Sequence, residues 1–122
     1  MTALDQPLSD LDLARFDREN ITMQVRSKII EQLPEGRPSQ GDIAVKLNTS
    51  LRSLQRRLRD QDTSFKELLS NTQQELALSY IRDSSRSIGE ITYLLGFSEP
   101  SNFTRAFKRW TGKSPGVYRE NA

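Results

Sequence analysis

The sequence predicts an all-α fold of seven helices, arranged as two related halves around a long connecting helix. Three observations predict it. Apolar residues recur at spacings of three and four along most of the chain, and no segment alternates apolar with polar residues in a β-branched run. Serine, proline and glycine recur where short helices would start and stop. A segment from the middle of the chain is repeated, in register, near the C-terminus.

Residues 1–20 show no sustained period. Leu4, Leu8, Leu11, Leu13 and Phe16 sit among acids, with Pro7 near the start. They read as an acidic linker or leader, and a short helix from Leu8 to Phe16 is the alternative. Ile21, Val25, Ile29 and Leu33 then recur every fourth residue, one apolar stripe of a first helix with Asn20 as its N-cap. Pro34-Glu35-Gly36-Arg37-Pro38 stops it, because proline cannot continue a helix and glycine tolerates the turn. Ser39 caps a second helix from Gln40 to about Leu47, with Ile43, Ala44 and Leu47 inward. Asn48 supplies a turn residue that tolerates the left-handed conformation. Ser50 caps a third, to about Arg59, with Leu51, Leu54 and Leu58 inward.

Ser64 opens the longest helix, to about Arg82, with Phe65, Leu68, Leu69, Thr72, Leu76, Ala77, Tyr80 and Ile81 at helical spacing. Asp83-Ser84-Ser85 breaks it. Ser87 caps Ile88 to Leu95, which Gly96 ends. Ser98 caps a helix to about Trp110, with Pro100 in its first turn, and Gly112 ends that one. Ser114-Pro115 begins a last short helix through about Glu120.

Composition narrows the chemistry. The 122 residues include no Cys and no His. Disulfides, thiolate zinc sites, cysteine nucleophiles and the commonest general base are therefore excluded, and neither a cofactor nor a metal is expected. No apolar run approaches the roughly 18–20 residues of a membrane span, and no secretory segment follows Met1, so a cytoplasmic protein with no membrane partner is expected. The net charge is only +2, but it is unevenly spread. Residues 1–20 carry five acids and two bases, whereas Lys46–Arg59 and Arg105–Arg119 each carry five bases and no acid. Two acid-free basic stretches are the electrostatic footprint of a nucleic-acid binder.

Those stretches belong to the repeat. Ile43-Ala44-Val45-Lys46-Leu47-Asn48-Thr49-Ser50 aligns with Ile91-Thr92-Tyr93-Leu94-Leu95-Gly96-Phe97-Ser98, and Leu54-Gln55-Arg56-Arg57-Leu58 aligns with Phe103-Thr104-Arg105-Ala106-Phe107 after one inserted residue. Asn48 matches Gly96, and Arg56 matches Arg105. Each unit is a short helix, a tight turn and a second helix with a basic exposed face, which is the helix-turn-helix arrangement. A helix from about Ser64 to Arg82 spans roughly 28 Å at 1.5 Å per residue. Successive major-groove faces lie roughly 34 Å apart, so a link of this length can hold both second helices on one side of a duplex.

The run from Gly96 to Arg119, Gly-Phe-Ser-Glu-Pro-Ser-Asn-Phe-Thr-Arg-Ala-Phe-Lys-Arg-Trp-Thr-Gly-Lys-Ser-Pro-Gly-Val-Tyr-Arg, resembles the signature of the AraC/XylS family of bacterial transcription regulators. Ser50-Leu51-Arg52-Ser53-Leu54-Gln55-Arg56-Arg57-Leu58 and Ser64-Phe65-Lys66-Glu67-Leu68-Leu69 resemble the family's first unit, so the resemblance covers about Ile21 to Tyr118. It implies a DNA-binding domain over residues 21–122, with helix-turn-helix subdomains at 21–63 and 84–122 and a linking helix at 64–83. It also implies sequence-specific binding to double-stranded promoter DNA, usually with activation through RNA polymerase. In most members this domain follows an effector-binding or dimerisation domain, so a monomeric fragment of a larger regulator is expected. Asp62 stands where the family often has glycine, Gln73-Gln74 where an arginine is common, and Thr92 where alanine is frequent.

Arg52, Gln55, Arg56 and Arg59 share one face of the first recognition helix at spacings of three and four. Arg suits guanine and Gln suits adenine, so Arg52, Gln55 and Arg56 are base-contact candidates. Ser50 and Arg59 are phosphate-contact candidates. In the second unit Ser101, Asn102 and Arg105 take the equivalent base-reading positions, and Thr104, Lys108, Arg109 and Lys113 the phosphate-contact ones. Glu99 fits either a contact to cytosine or a first-turn acid that favours the helix dipole. Phe97, Phe103, Phe107, Trp110 and Tyr118 fit core packing better than stacking on single strands. No carboxylates pair as a catalytic constellation, so no enzyme is expected. The competing reading is a helical protein-interaction module whose basic faces bind an acidic partner.

Overall fold

The computed structural model describes residues 21–121; the acidic leader, its alternative helix and the Asn20 cap lie outside that range. Among the described residues there are seven α-helices and one turn of 3-10 helix, with no strand. They are α1 (Ile21–Gln32), the 3-10 turn (Leu33–Glu35), α2 (Gln40–Lys46), α3 (Leu51–Asp60), α4 (Phe65–Ile81), α5 (Ile88–Leu94), α6 (Pro100–Thr111) and α7 (Pro115–Glu120). Among the described residues no helix is long and apolar enough to cross a membrane.

Serine caps explain most helix starts. The hydroxyls of Ser39, Ser50, Ser64, Ser87 and Ser114 each accept the backbone N–H three residues on, at 3.0–3.3 Å. Each satisfies one donor that the first turn leaves without an intrahelical partner. Ser98 does not cap α6. Glu99 holds the N-cap position, at φ −145° and ψ 142°, without a side-chain hydrogen bond. The cause is Pro100, which drives the residue before it into extended backbone, so the helix starts at the proline itself.

The two helix-turn-helix turns are closed identically. Asn48 N–H donates to Val45 O (3.0 Å) and Thr49 N–H to Ala44 O (3.0 Å); Gly96 N–H donates to Tyr93 O (3.1 Å) and Phe97 N–H to Thr92 O (3.1 Å). This pair of hydrogen bonds around a left-handed residue is the Schellman motif. Asn48 and Gly96 have φ of 55° and 80°. Asp62, two residues past the end of α3, is also left-handed at φ 58°, the backbone for which the family's frequent glycine is suited.

Two cores follow. The first joins α1, α2, α3 and the start of α4 through aliphatic residues such as Ile29, Leu33, Ile43, Leu54 and Leu58, all buried. The second joins the end of α4 to α5 and α6 through Ile81, Ile91, Leu95, Phe103 and Phe107, with Phe97, Trp110 and Tyr118 packed against it. The five aromatics therefore pack as a core, and Phe107 and Tyr118 meet edge to face with centroids 5.3 Å apart. Leu76 of α4 touches both cores. Leu51 departs from its expected inward position and is 42% exposed, because it is the first residue of α3 and lies beyond the stripe made by Leu54 and Leu58.

Side-chain bonds to α4 hold the rest in place. Trp110 Nε1 donates to Ser70 Oγ at 3.3 Å, so the end of α6 is fixed to the connecting helix. Arg119 donates from Nε to Ile81 O (3.0 Å) and from Nη2 to Asp83 O (3.2 Å), satisfying carbonyls at and just beyond the C-terminus of α4. In the link to α5 the Ser85 hydroxyl and amide both donate to Asp83 Oδ1. These bonds, with Arg86 beside them, hold the Asp83 carboxyl below the usual carboxylate range. Arg26 of α1 pairs with Glu75 of α4 at the surface.

Candidate nucleic-acid interface

On α3 the helical period separates two faces. Leu54 and Leu58 point into the first core, while Arg52, Gln55, Arg56 and Arg59 are exposed. Arg52, Arg56 and Arg59 have no hydrogen bond or ion pair among the described residues. Gln55 Nε2 donates to Gln40 Oε1 of α2 at 3.3 Å, which steadies its amide at the mouth of the unit. Ser50 is exposed at the start of the helix and keeps its hydroxyl hydrogen available, since its oxygen is the cap acceptor.

On α6 Phe103 and Phe107 are buried, and Ser101, Asn102, Arg105, Lys108 and Arg109 are exposed. Thr104 is half-buried. Arg105 donates from Nη2 to Asn102 Oδ1, so the two amide and guanidinium groups form a preassembled pair one turn apart. Both residues are exposed, and the remaining N–H donors of Asn102 and Arg105 are left over for a base or a phosphate. Lys113 follows α6, in the loop before α7. It lines a cleft of about 550 Å³ with Arg82, Tyr118 and Arg119, at the C-terminal end of α4.

Two features were not among the sequence-predicted site residues. Arg37, in the loop before α2, is exposed and without an ion pair among the described residues. It lines an open cleft of about 470 Å³ together with Glu35, Tyr93, Ser98 and Asn102, beside the start of the second recognition helix. Its position in a Pro/Gly stop signal gave no hint of that, since the neighbours come from the other unit. Gln73 lies inside the protein, with its side-chain amide on α5, rather than on a DNA-facing surface. The departure from the family's arginine marked the position but not this partner.

A turn closed the same way twice, each followed by a helix with one apolar and one basic or amide-bearing face, defines a helix-turn-helix DNA-binding domain. A family model described as a helix-turn-helix domain matches residues 43–121. The ornithine utilization regulator of Pseudomonas aeruginosa is 39% identical over 109 residues, which cover 88% of this chain and 32% of that protein. Among solved structures, a DNA-binding transcriptional dual regulator from Escherichia coli K-12 superposes with a TM-score of 0.78 at 26% identity, over 84% of this chain and 91% of that one. The transcriptional regulator CdpR from Pseudomonas aeruginosa superposes at 0.70 with 33% identity, over 93% of this chain and 36% of that one. The chain belongs to the AraC-type family of helix-turn-helix transcription regulators. It is a DNA-binding module, not an enzyme. It spans about a third of the length of the ornithine utilization regulator it matches.

Proposed function

We propose that the chain reads promoter DNA by laying α3 and α6 in adjacent major grooves on one side of the duplex. The carrying observation is that both second helices present an exposed Arg at the same position of the repeat, Arg56 and Arg105, with an exposed amide beside it, Gln55 in one and Asn102 in the other. Arg52, Gln55 and Arg56 read bases in the first groove, and Ser101, Asn102 and Arg105 in the second. Ser50, Arg59, Thr104, Lys108, Arg109 and Lys113 hold phosphates, and Arg37 joins them at the boundary between the units. The domain division at residues 63 and 83 follows from the same reading, because α4 belongs to neither unit alone.

The module acts as a monomer in the cytoplasm as part of a transcriptional activator, on a promoter within reach of RNA polymerase. The activator names carried by relatives, such as the urease operon transcriptional activator of Escherichia coli, support that direction of regulation.

Binding of a selected duplex, followed by fluorescence anisotropy over a series of salt concentrations, tests the reading. Log affinity should fall linearly with log salt, and a scrambled duplex should bind at least about a thousandfold more weakly. Arg56→Ala and Arg105→Ala should each cost about 1–3 kcal/mol on the selected duplex and much less on the scrambled one. Equal affinity for both duplexes would overturn the claim of sequence readout. Intact binding by the double variant would favour the acidic-partner reading instead.

A further inference from the structure

If two recognition helices enter two grooves, their relative placement decides which half-site spacing is accepted. In this protein the two units meet along a narrow seam. The 3-10 turn at Leu33–Glu35 packs on α5. Gly96 sits so close to that turn that an added Cβ would lie 3.0 Å from Leu33 Cδ2 and 3.3 Å from the Gly36 carbonyl carbon and oxygen. Beside this contact Gln73 of α4 is 5% exposed, and its Nε2 donates to Leu95 O at 2.8 Å. Leu95 is the C-cap residue of α5, immediately before Gly96, so the bond ends on the turn that aims α6. No buried side-chain N or O atom is without a partner among the described residues, and Gln73 meets that requirement by reaching across the seam.

We propose that Gln73 is a positioning residue that fixes the angle and spacing between α3 and α6, and so sets the half-site spacing the protein accepts. This rests on the two-groove reading above. α4 carries both cores, and Trp110 and Arg119 also bond the second unit to α4, but those bonds are part-buried or exposed, and the apolar contacts at Leu76 and Leu33 are non-directional. A buried hydrogen bond to a carbonyl at the turn is directional, and it is costly to break because no water replaces it. Arg26 and Glu75 cannot serve the same purpose, since that pair is exposed and joins α4 to α1 within the first unit.

Gln73→Met keeps the length and bulk of the side chain and removes the donor. Gln73→Arg keeps a donor at the site. Residual dipolar couplings of the free domain give a readout without DNA. In the wild type one alignment tensor should fit both units; in Gln73→Met each unit should need its own, with the helical spectrum of each retained. Gln73→Arg should return the domain to a single tensor.

On DNA, one base pair inserted between the half-sites moves the second groove by about 3.4 Å and about 34°. The wild type should lose on the order of tenfold or more in affinity, the loss expected when one unit's base contacts are misplaced. Gln73→Met should reduce that penalty to about threefold or less, as the freed unit follows the displaced groove. A single tensor with an unchanged spacing penalty in Gln73→Met overturns the proposal while leaving the two-groove reading intact. A Gln73→Arg domain as loose as Gln73→Met contradicts the hydrogen-bond basis. A wild type indifferent to spacing overturns the two-groove reading itself, and this proposal with it.

Discussion

The two helix-turn-helix units share a backbone but solve the same turn with different residues. In the first, Asn48 adopts φ 55° at an exposed position; in the second, Gly96 adopts φ 80°. Conformation alone does not require the difference, because Asn visits this region at modest cost. Packing does. Gly96 faces Leu33 and Gly36 of the other unit with no room for a Cβ, so the second turn is shaped by the seam as well as by its own helices. The cores differ in the same sense. The first is mainly aliphatic and closed by α1, whereas the second is built on tilted and edge-to-face aromatics and tied to α4 by Trp110 and Arg119. The second unit docks onto the first along α4 and at the contact of Gly96 with Leu33 and Gly36.

That asymmetry can be broken at several places. Phe103 is fully buried at the centre of the second core, and Phe103→Ala should cost about 3–5 kcal/mol. Hydrogen exchange should then show α5 to α7 opening while α1 to α3 stay protected; uniform loss of protection would mean that the units do not differ in this way. Gly96→Ala adds backbone strain to a close contact and should cost about 2 kcal/mol or more, whereas Asn48→Ala should cost about 1 kcal/mol, as read by chemical denaturation. Equal losses would remove the role given to the seam.

The helix caps offer a smaller contrast. Ser50→Ala removes the α3 cap and should lower stability by about 1 kcal/mol. Glu99→Ser supplies the α6 cap that is missing and should raise it by about 0.5–1 kcal/mol, provided melting is followed at one salt concentration. Salt dependence gives the smallest effect. Arg37→Gln should lower the slope of log affinity against log salt by about 1 without changing sequence preference. A changed preference with an unchanged slope would move Arg37 from the phosphates to a base.

Much of this was legible in the sequence because it is local. A serine followed by a helical stripe encodes its cap, and five of the six serines proposed this way are caps. The sixth, Ser98, fails because Pro100 constrains Glu99, a one-residue effect that outweighs the preference for serine. The exposed faces of α3 and α6 were legible because the 3.6-residue period separates Arg56 from Leu54 and Arg105 from Phe103. The Gln73 bond to Leu95 was not, since the two residues come together only when the units dock. The same holds for Arg37 beside Asn102, and for the cleft that Lys113 lines with Arg82 and Arg119.

The central claim is that both units read DNA from one rigid scaffold. Selection of duplexes from a random library with this domain, followed by sequencing, tests it most directly. The account predicts two preferred blocks whose centres lie about one helical turn apart, near 10–10.5 base pairs, with α3 and α6 each owning one block. Arg56→Ala should blur one block and Arg105→Ala the other. A single block, lost in Arg56→Ala and untouched by Arg105→Ala, would contradict it.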